Sequence, residues 1–599
     1  MRPEVRKIVS VVFSDVAGST ALAEQLDPES LRRAMTRYFQ VARQVHGRHG
    51  GVVEKFIGDA VMAVFGIPCV HEDDALRAVR AAVELRDAIA ALNRELEREL
   101  QVILSVRTGV NTGLVLAGGE DEGQPFVAGD AVNVAARLER AAGPGEVLLG
   151  EATYRLVVDA VDVEPVAPFV PRGKLTPVAV YRVLTVARDA TGLARRRDTP
   201  LVGRTGELAL LDRILDRVIA GQACQLVALL GDPGVGKSRL VRAFGERAQQ
   251  RAVVLYGCCP SYGSGAAAQV VGQLADQGTA AAGTKTWSSG TLPANPLAVF
   301  SGMRSLLEGL AKRRPVMVVI EDLHWAEPAI AELVEYLRTF TREAAVLLVV
   351  TARPQFLDRP ACWTVGAADV TLGLEPLPAS DAADLAAYLC GPGGLDAGTS
   401  DHLVARAEGN PLVLEELLRF LGDSAGPGSV DARRPEEPPF PSILDAVMGD
   451  ELDRLPAGER TALELASVVG RSFTCASVAA LASPHLRPQV GSVLLALARR
   501  RVLRIAGRER GEDGFAFRHQ LLHEATYRGV PKWRRAILHA RVAERLTKAG
   551  ADTSAEDEAI GQHLGQAYRY LAQLAGDQLP PPTGVAWPVR PPSGVVAWS

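Results

Sequence analysis

Residues 7–20 read KIVSVVFSDVAGST. The stretch from Lys7 to Val16 is apolar and β-branched, interrupted only by serines and Asp15, and its short continuous run predicts a buried strand that delivers Asp15 to its carboxyl end. Behind it, Gly18, Ser19 and Thr20 precede a long helical pattern. A strand, a turn of small residues and a helix start leave backbone N–H groups free, a geometry that suits a phosphate.

Working outward, GVVEKFIGDAVMAVFG (51–66) contains two strand-like runs joined at Gly58-Asp59, a hairpin signal with Asp59 at the turn. A second helix is predicted from about His71 to Leu100. QVILSVRTGVNTGLVLAG (101–118) then reads as another pair of strands, broken at Asn111-Thr112-Gly113. Strand, helix, two strands, helix, strand is the order of a ferredoxin-like βαββαβ sheet. In this reading the hairpin's strands flank the first strand, so that Asp15 and Asp59 meet. Two neighbouring carboxylates suit Mg²⁺ or Mn²⁺, which commonly takes one or two carboxylates plus substrate phosphates. Such a pair of metals lowers the pKa of an attacking hydroxyl and steadies the leaving oxygens of a displacement at phosphorus.

PFVAGDAVNVAARLE (125–139) predicts a small apolar helix after Gly129 that nevertheless carries Asn133 and Arg137. Four residues apart, these project from one face. FSDVAGST, EKFIGDAVMAVFG and GDAVNVAARLE, in this order and running through to GKLTPVAVYRVL, resemble the class III nucleotidyl cyclases over about residues 5–184. The resemblance implies that Asp15 and Asp59 bind metal, that Lys55 reads the purine, that Asn133 orients the ribose and that Arg137 stabilises the phosphorane-like transition state. A permanently charged, five-donor guanidinium suits that last task. In that family the metal residues come from one protomer and the Lys, Asn and Arg set from the other, so one copy of the domain implies a homodimer. Arg172 and Lys174 are further candidates for the triphosphate. Phe126 departs from the pattern: where relatives that recognise adenine commonly carry Asp or Thr, phenylalanine can stack on a purine or close the pocket but accepts no hydrogen bond from its amine. ATP is favoured over GTP as substrate.

CQLVALLGDPGVGKSRLVRAF (224–244) places an apolar strand, a GxxxxGKS loop and a helix in succession, the context of a P-loop. Its Gly231, Gly234 and Gly236 let backbone amides cradle phosphates, Lys237 reaches the β and γ oxygens, and Ser238 ligates Mg²⁺. PVMVVIEDLH (315–324) ends a buried strand in Glu321-Asp322, a second acidic motif. AVLLVVTARP (345–354) ends another at Thr351 and Arg353, where a residue can sense the γ-phosphate. With LVGRTGEL, EDLHWAEP and EGNPLVLEELL, this region resembles the signal-transduction ATPases with numerous domains, a branch of the AAA-like P-loop proteins. That resemblance implies a slow ATP/ADP switch.

Composition sets the bounds. With 599 residues, three or four domains are expected. Polar and Pro/Gly-rich stretches divide the chain into a cyclase domain (1–184), a linker (185–199) and an ATPase domain (200–421). A Pro-rich linker (422–441), a helical, winged-helix-like region (442–575) and a disordered Pro-rich tail (576–599) follow. The class is therefore multidomain α/β. At 47% hydrophobic, 23% charged and net −4, the chain lacks the basic field that draws proteins to nucleic acid. Seven scattered cysteines read as reduced thiols, and no apolar run reaches the roughly 18 residues of a membrane span, so a cytoplasmic protein is expected. In the third region His519 and His523 lie one turn apart. Without an HExxH pattern and with Arg518 adjacent, they and His539 read as packing or solvated positions. The relatives continue into helical repeats or a DNA-binding motif, whereas this sequence stops in prolines and reads as a shortened member or a fragment.

The leading expectation is a cyclase converting ATP to cyclic AMP and pyrophosphate, gated by the attached ATP-binding switch and by an unidentified protein or small-molecule regulator. The alternative is a catalytically weak cyclase-like module in a regulatory ATPase.

Overall fold

The computed structural model describes residues 4–19, 22, 24, 26–121, 124–169, 178–187, 199–259, 266–283, 295–354, 356, 369–391, 396–424, 442–509, 512–549 and 554–575. Thr20, Arg172, Lys174, Cys362, most of both linkers and the tail 576–599 lie outside them, as does the side chain of Phe126.

The first region runs β1 (Val5–Val16), α1 (Pro28–Arg48), β2 (Val52–Ile57), β3 (Ala60–Phe65), α2 (Asp74–Leu100), β4 (Val106–Asp121), β5 (Gln124–Ala128), α3 (Asp130–Ala141), β6 (Val147–Gly150), α4 (Glu151–Val157), β7 (Val161–Phe169) and β8 (Val178–Val186). Its sheet is ordered β2-β3-β1-β4-β6-β8-β7, with β5 on β4. The first four strands pair antiparallel. This is the βαββαβ order, with one correction: β1 lies between β3 and β4, and β2 is outermost. Asp59 still approaches Asp15, because β3 begins directly after it and runs alongside β1.

Alternation along β1 separates two cores. Val9, Val11 and Phe13 face α3, while Val12 and Val16 join the core beneath α1 and α2. Asp15 falls in phase with the α3 side. A second correction concerns Asn111-Thr112-Gly113, which does not break the chain: β4 is continuous and pairs with β1 from Val5↔Ala117 to Val16↔Val106. The small residues there serve packing. A Cβ on Gly109 would stand 2.3 Å from the Glu139 nitrogen and 2.4 Å from the Ala135 oxygen, and one on Gly113 would stand 3.0 Å from the Ala131 Cβ. Helix α3 therefore lies almost on the backbone of β4.

The second region contains α5 (Thr205–Gly221), β9 (Cys224–Gly231), α6 (Lys237–Ala248), β10 (Val253–Cys258), α7 (Ala266–Ala282), α8 (Pro296–Ala311), β11 (Val316–Glu321), α9 (Pro328–Phe340), β12 (Val346–Ala352), β13 (Val370–Leu374), α10 (Ala379–Cys390), α11 (Ala397–Ala407) and α12 (Pro411–Ser424). Its five parallel strands are ordered β10-β11-β12-β9-β13. Strands β11 and β12 are buried throughout, as expected where helices cover both faces.

The third region comprises α13 (Ser442–Asp453), α14 (Ala457–Val469), β14 (Ser472–Thr474), α15 (Cys475–Leu481), α16 (Val490–Arg499), β15 (Leu503–Glu509), β16 (Glu512–Phe517), α17 (Gln520–Gly529), α18 (Lys532–Ala549) and α19 (Ser554–Ala575). A three-stranded antiparallel sheet, β14-β16-β15, joins its helices. Its core is continuous with that beneath α1 and α2. Polar ties reinforce the junction: Lys7 Nζ donates to Asp453 Oδ2 at 2.6 Å, and Trp533 Nε1 donates to Glu4 Oε2 at 3.1 Å. Among the described residues, no helix is long and apolar enough to cross a membrane.

The Gly109 contact yields a stability prediction. Gly109→Ala should cost about 1–3 kcal/mol or more, because the obstacle is helix backbone rather than a side chain that can rotate away. A melting temperature within a degree of the unsubstituted protein would show that α3 has room to move.

Candidate nucleotide sites

The first site grows from the end of β1. Asp15 pairs in register with Arg107 on β4. The guanidinium donates to Asp15 Oδ2 from Nη2 at 2.6 Å and from Nε at 3.2 Å, and its Nε also stands 2.7 Å from Glu139 Oε1 on α3. Asp59 adds a third carboxylate. Burial raises the Asp15 carboxyl above its usual range, Arg107 opposes the rise and Asp59 adds to it. Glu139 is pushed up to about 7, foremost by burial; Arg107 opposes this and Asp15 adds to it. Arg107 alone therefore does not neutralise the cluster. The crowded pair of Asp15 and Asp59 fits a divalent cation, although among the described residues no group of three or more acidic, His or Cys side chains is arranged to hold one.

Arg107 and Glu139 escaped the sequence reading. Signals for both were present: Arg107 opens an apolar strand, and Glu139 follows Ala131 and Ala135 at helical spacing on the buried face of α3.

Asn133 and Arg137 project from the other side of α3. Ala131, Val134, Ala135 and Leu138 are buried, whereas Asn133 is exposed and Arg137 half-buried. Two residues are about 200° of helix, so the Asn133/Arg137 pair sits roughly opposite the stripe that meets β4. Lys55 on β2 pairs with Met62, and its Nζ lies 3.8 Å from Glu54 Oε1. The sheet thus brings Asp15 and Asp59 together, and α3 turns Asn133 and Arg137 away from them. Phe126 belongs to β5.

The second site lies at the carboxyl ends of β9, β11 and β12, where open parallel sheets bind ligands. Gly234 and Gly236 take positive φ, +79° and +101°. A side chain at Gly234 would also strike Asn410 and Leu412, which close over the loop; Asn410 Nδ2 donates to the Pro233 oxygen at 2.9 Å. Lys237 Nζ is folded back onto the oxygens of Gly231 (2.8 Å) and Asp232 (3.0 Å), and Ser238 is buried beside it. Of the two acids after β11, Asp322 lines this cavity, with its N–H donating to Thr351 Oγ1 at 2.9 Å. Glu321 lies 3.8 Å from Arg242. Arg353, also on the cavity wall, is buried between Asp450 Oδ2 at 2.7 Å and Glu72 Oε1 at 3.5 Å.

His519 corrects a sequence expectation. It precedes α17 and stands 3.6 Å from Asp232 of the P-loop and 3.3 Å from Glu408, so it is an ion-pair partner and not merely packing. His523 does pack, against Phe517, and contacts the Ser467 oxygen.

Residues 1–182 match the family described as the adenylate and guanylate cyclase catalytic domain, and residues 200–350 match the AAA ATPase domain. The chain therefore joins a class III adenylate/guanylate cyclase domain to an AAA ATPase domain. An uncharacterized protein of Rhizobium meliloti is 27% identical over 94% of this chain and 58% of its own length. Adenylate cyclase 1 of Rhizobium meliloti is 29% identical over 31% of this chain and 28% of its own length. Among solved structures, the adenylyl cyclase CyaB from P. aeruginosa is 31% identical over 32% of this chain and all of its own, with a TM-score of 0.30. The chain thus spans little more than half of the first relative and about a quarter of the second.

Burial draws the His519 pKa down, but Asp232 and Glu408 outweigh it and hold the ring at about 9. A His raised in the folded state stabilises fully below its unfolded value near 6.5 and loses that contribution as pH rises through 9. Between pH 6.5 and 10 the protein should therefore lose roughly a few kcal/mol at this contact. His519→Gln should flatten that part of a melting-temperature profile, and identical slopes for both proteins would refute the coupling.

Proposed function

We propose that the chain is a nucleotidyl cyclase that converts ATP to 3′,5′-cyclic AMP and pyrophosphate as a homodimer, regulated by ATP binding at its second region. The observation that carries the reading is the split of the first site: Asp15 and Asp59 adjoin on one side of α3, while Asn133 and Arg137 face away from them. A second copy that presents its own α3 completes the set.

In this mechanism Asp15 and Asp59 would hold Mg²⁺ or Mn²⁺, which would supply the charge that lowers the pKa of the attacking 3′-hydroxyl and steadies the departing pyrophosphate. Arg107 and Glu139 hold Asp15 in place, so its carboxylate needs little reorganisation when ligand enters. From the partner copy, Lys55 donates to the purine edge and Phe126 stacks on it. Asn133 fixes the ribose so that its 3′-oxygen lies in line with the α-phosphorus. As that oxygen bonds to phosphorus and the bond to pyrophosphate breaks, Arg137 donates to the equatorial oxygens, where negative charge grows. Lys174 and Arg172 are proposed for the triphosphate. Two curated relatives of Rhizobium meliloti that bear the adenylate cyclase name support ATP over GTP. A catalytically weak module is the second reading, favoured by Phe126, which offers no acceptor to the adenine amine. At the second region ATP would bind with its phosphates on Gly231 to Ser238 and its γ-phosphate toward Arg353, and Ser238 and Asp322 would hold its Mg²⁺.

Arg137→Ala should lower kcat about 10²–10³-fold, the usual loss for a donor acting on transition-state charge. Asp59→Ala should abolish metal-dependent turnover. Mixed together, the two inactive variants should recover about a quarter of the activity, since half of the symmetric dimers become mixed and each mixed dimer keeps one intact site. If the full chain makes no cyclic nucleotide above the Asp59→Ala background with either metal and either ATP or GTP, the cyclase reading fails.

A further inference from the structure

The ATPase cavity has a wall residue that does not belong to the ATPase domain. Glu72, from the segment joining β3 to α2 of the cyclase domain, lines the same cavity as Gly236, Lys237, Asp322 and Arg353. Its carboxylate is 3.5 Å from Arg353 and mostly buried. A carboxylate in a cavity shaped for a polyanion is a like charge awaiting its competitor, and its place there depends on the guanidinium it neutralises.

The segment around Glu72 is held by the other two regions. The Val70 N–H donates to Asp453 Oδ2 at 2.8 Å. The His71 ring lies 5.9 Å from that of Trp325, and the His71 backbone N–H donates to Asp74 Oδ2 at 2.7 Å. Arg454, also paired with Asp450, lies 4.0 Å above the Trp325 ring. At its other end the segment continues from β3, which begins at Ala60, next to Asp59. Residues 66–74 thus connect the ATPase cavity to the proposed metal pair through a single strand.

We infer that Glu72 is a specificity-determining residue of the ATPase pocket, contributed by the cyclase domain, and that it sets the preference between nucleoside triphosphate and diphosphate by occupying Arg353. A γ-phosphate brings more charge and three acceptor oxygens to Arg353, and so exchanges with Glu72. A diphosphate ends at the P-loop and leaves the Glu72–Arg353 pair closed. By linkage, triphosphate binding and docking of segment 66–74 oppose one another to the same extent. The inference rests on nucleotide binding at the P-loop but not on cyclase catalysis.

The test uses the full chain carrying Asp59→Ala, to prevent turnover, with ADP and β,γ-imido-ATP as probes in Mg²⁺. The P-loop component is the binding lost on adding Lys237→Ala. Glu72→Gln should tighten the triphosphate analogue about tenfold while ADP moves less than about twofold, since only the former meets the removed charge. In the chain with native Glu72, saturating triphosphate analogue should speed hydrogen exchange at residues 66–74, and ADP should not. That second measurement does not depend on how the variant folds. Equal shifts for both nucleotides, no shift for either, or exchange at 66–74 indifferent to the γ-phosphate would overturn the inference. Binding unaffected by Lys237→Ala would overturn it together with the P-loop reading. Failure to make cyclic nucleotide bears only on the cyclase reading, because this experiment measures binding and exchange.

Discussion

Two carboxylates on one turn of α13 govern how the three regions fit together. Asp450 and Asp453 have side chains only 2% and 4% exposed. A carboxylate that deep costs several kcal/mol unless cations and N–H donors surround it. Asp450 receives Arg353 from the ATPase domain and Arg454 from the turn that follows its own helix. Asp453 receives Lys7 and the Val70 N–H from the cyclase domain, and Arg460 from α14. Because the compensating charges come from every region, the helix is satisfied only when all three are docked. The contiguous apolar core at the same junction supplies the non-directional part of the attraction, and the paired charges supply its register.

The same electrostatic logic recurs at both candidate nucleotide sites. Each holds a protein group in the place of a charge that a ligand would bring. At the first, Arg107 supplies positive charge to Asp15 and opposes the rise that burial and Asp59 impose on its carboxyl. At the second, Glu72 and Asp450 supply negative charge to Arg353, and Lys237 turns back onto loop carbonyls. Such counter-ions keep buried charged groups from standing unpaired, and they make the ligand compete with an internal partner.

Much of this was legible in the chain because the signals are local. Alternation and continuous apolar runs marked the strands, and the acids ending those runs marked their carboxyl ends. Gly58-Asp59 marked the hairpin, and GDPGVGKS marked the loop between β9 and α6. Errors arose where a local signal had a distant cause. Asn111-Thr112-Gly113 has the composition of a turn, yet Gly109 and Gly113 are small because α3 rests on β4. His519 resembled a packing residue because Asp232, its partner, lies nearly three hundred positions away. Arg107 and Glu139 were overlooked because a lone charge near an apolar run reads as solvated until register sets it opposite Asp15.

The sequence by itself determined the chemistry available at each site, since residue type sets charge, donors and acceptors, and short-range spacing sets which residues share a face. Asp15, Asp59, Lys55, Asn133 and Arg137 in the first region, and the loop from Gly231 to Ser238 in the second, could be read that way. Only the tertiary structure decided which groups compensate one another. It set Arg107 and Glu139 on Asp15, His519 on the P-loop, and Glu72 of the cyclase domain on Arg353 of the ATPase domain. The reason is that buried charge is neutralised through space, by whichever side chain the packing of distant segments brings within a few ångströms, and sequence separation carries no record of that distance.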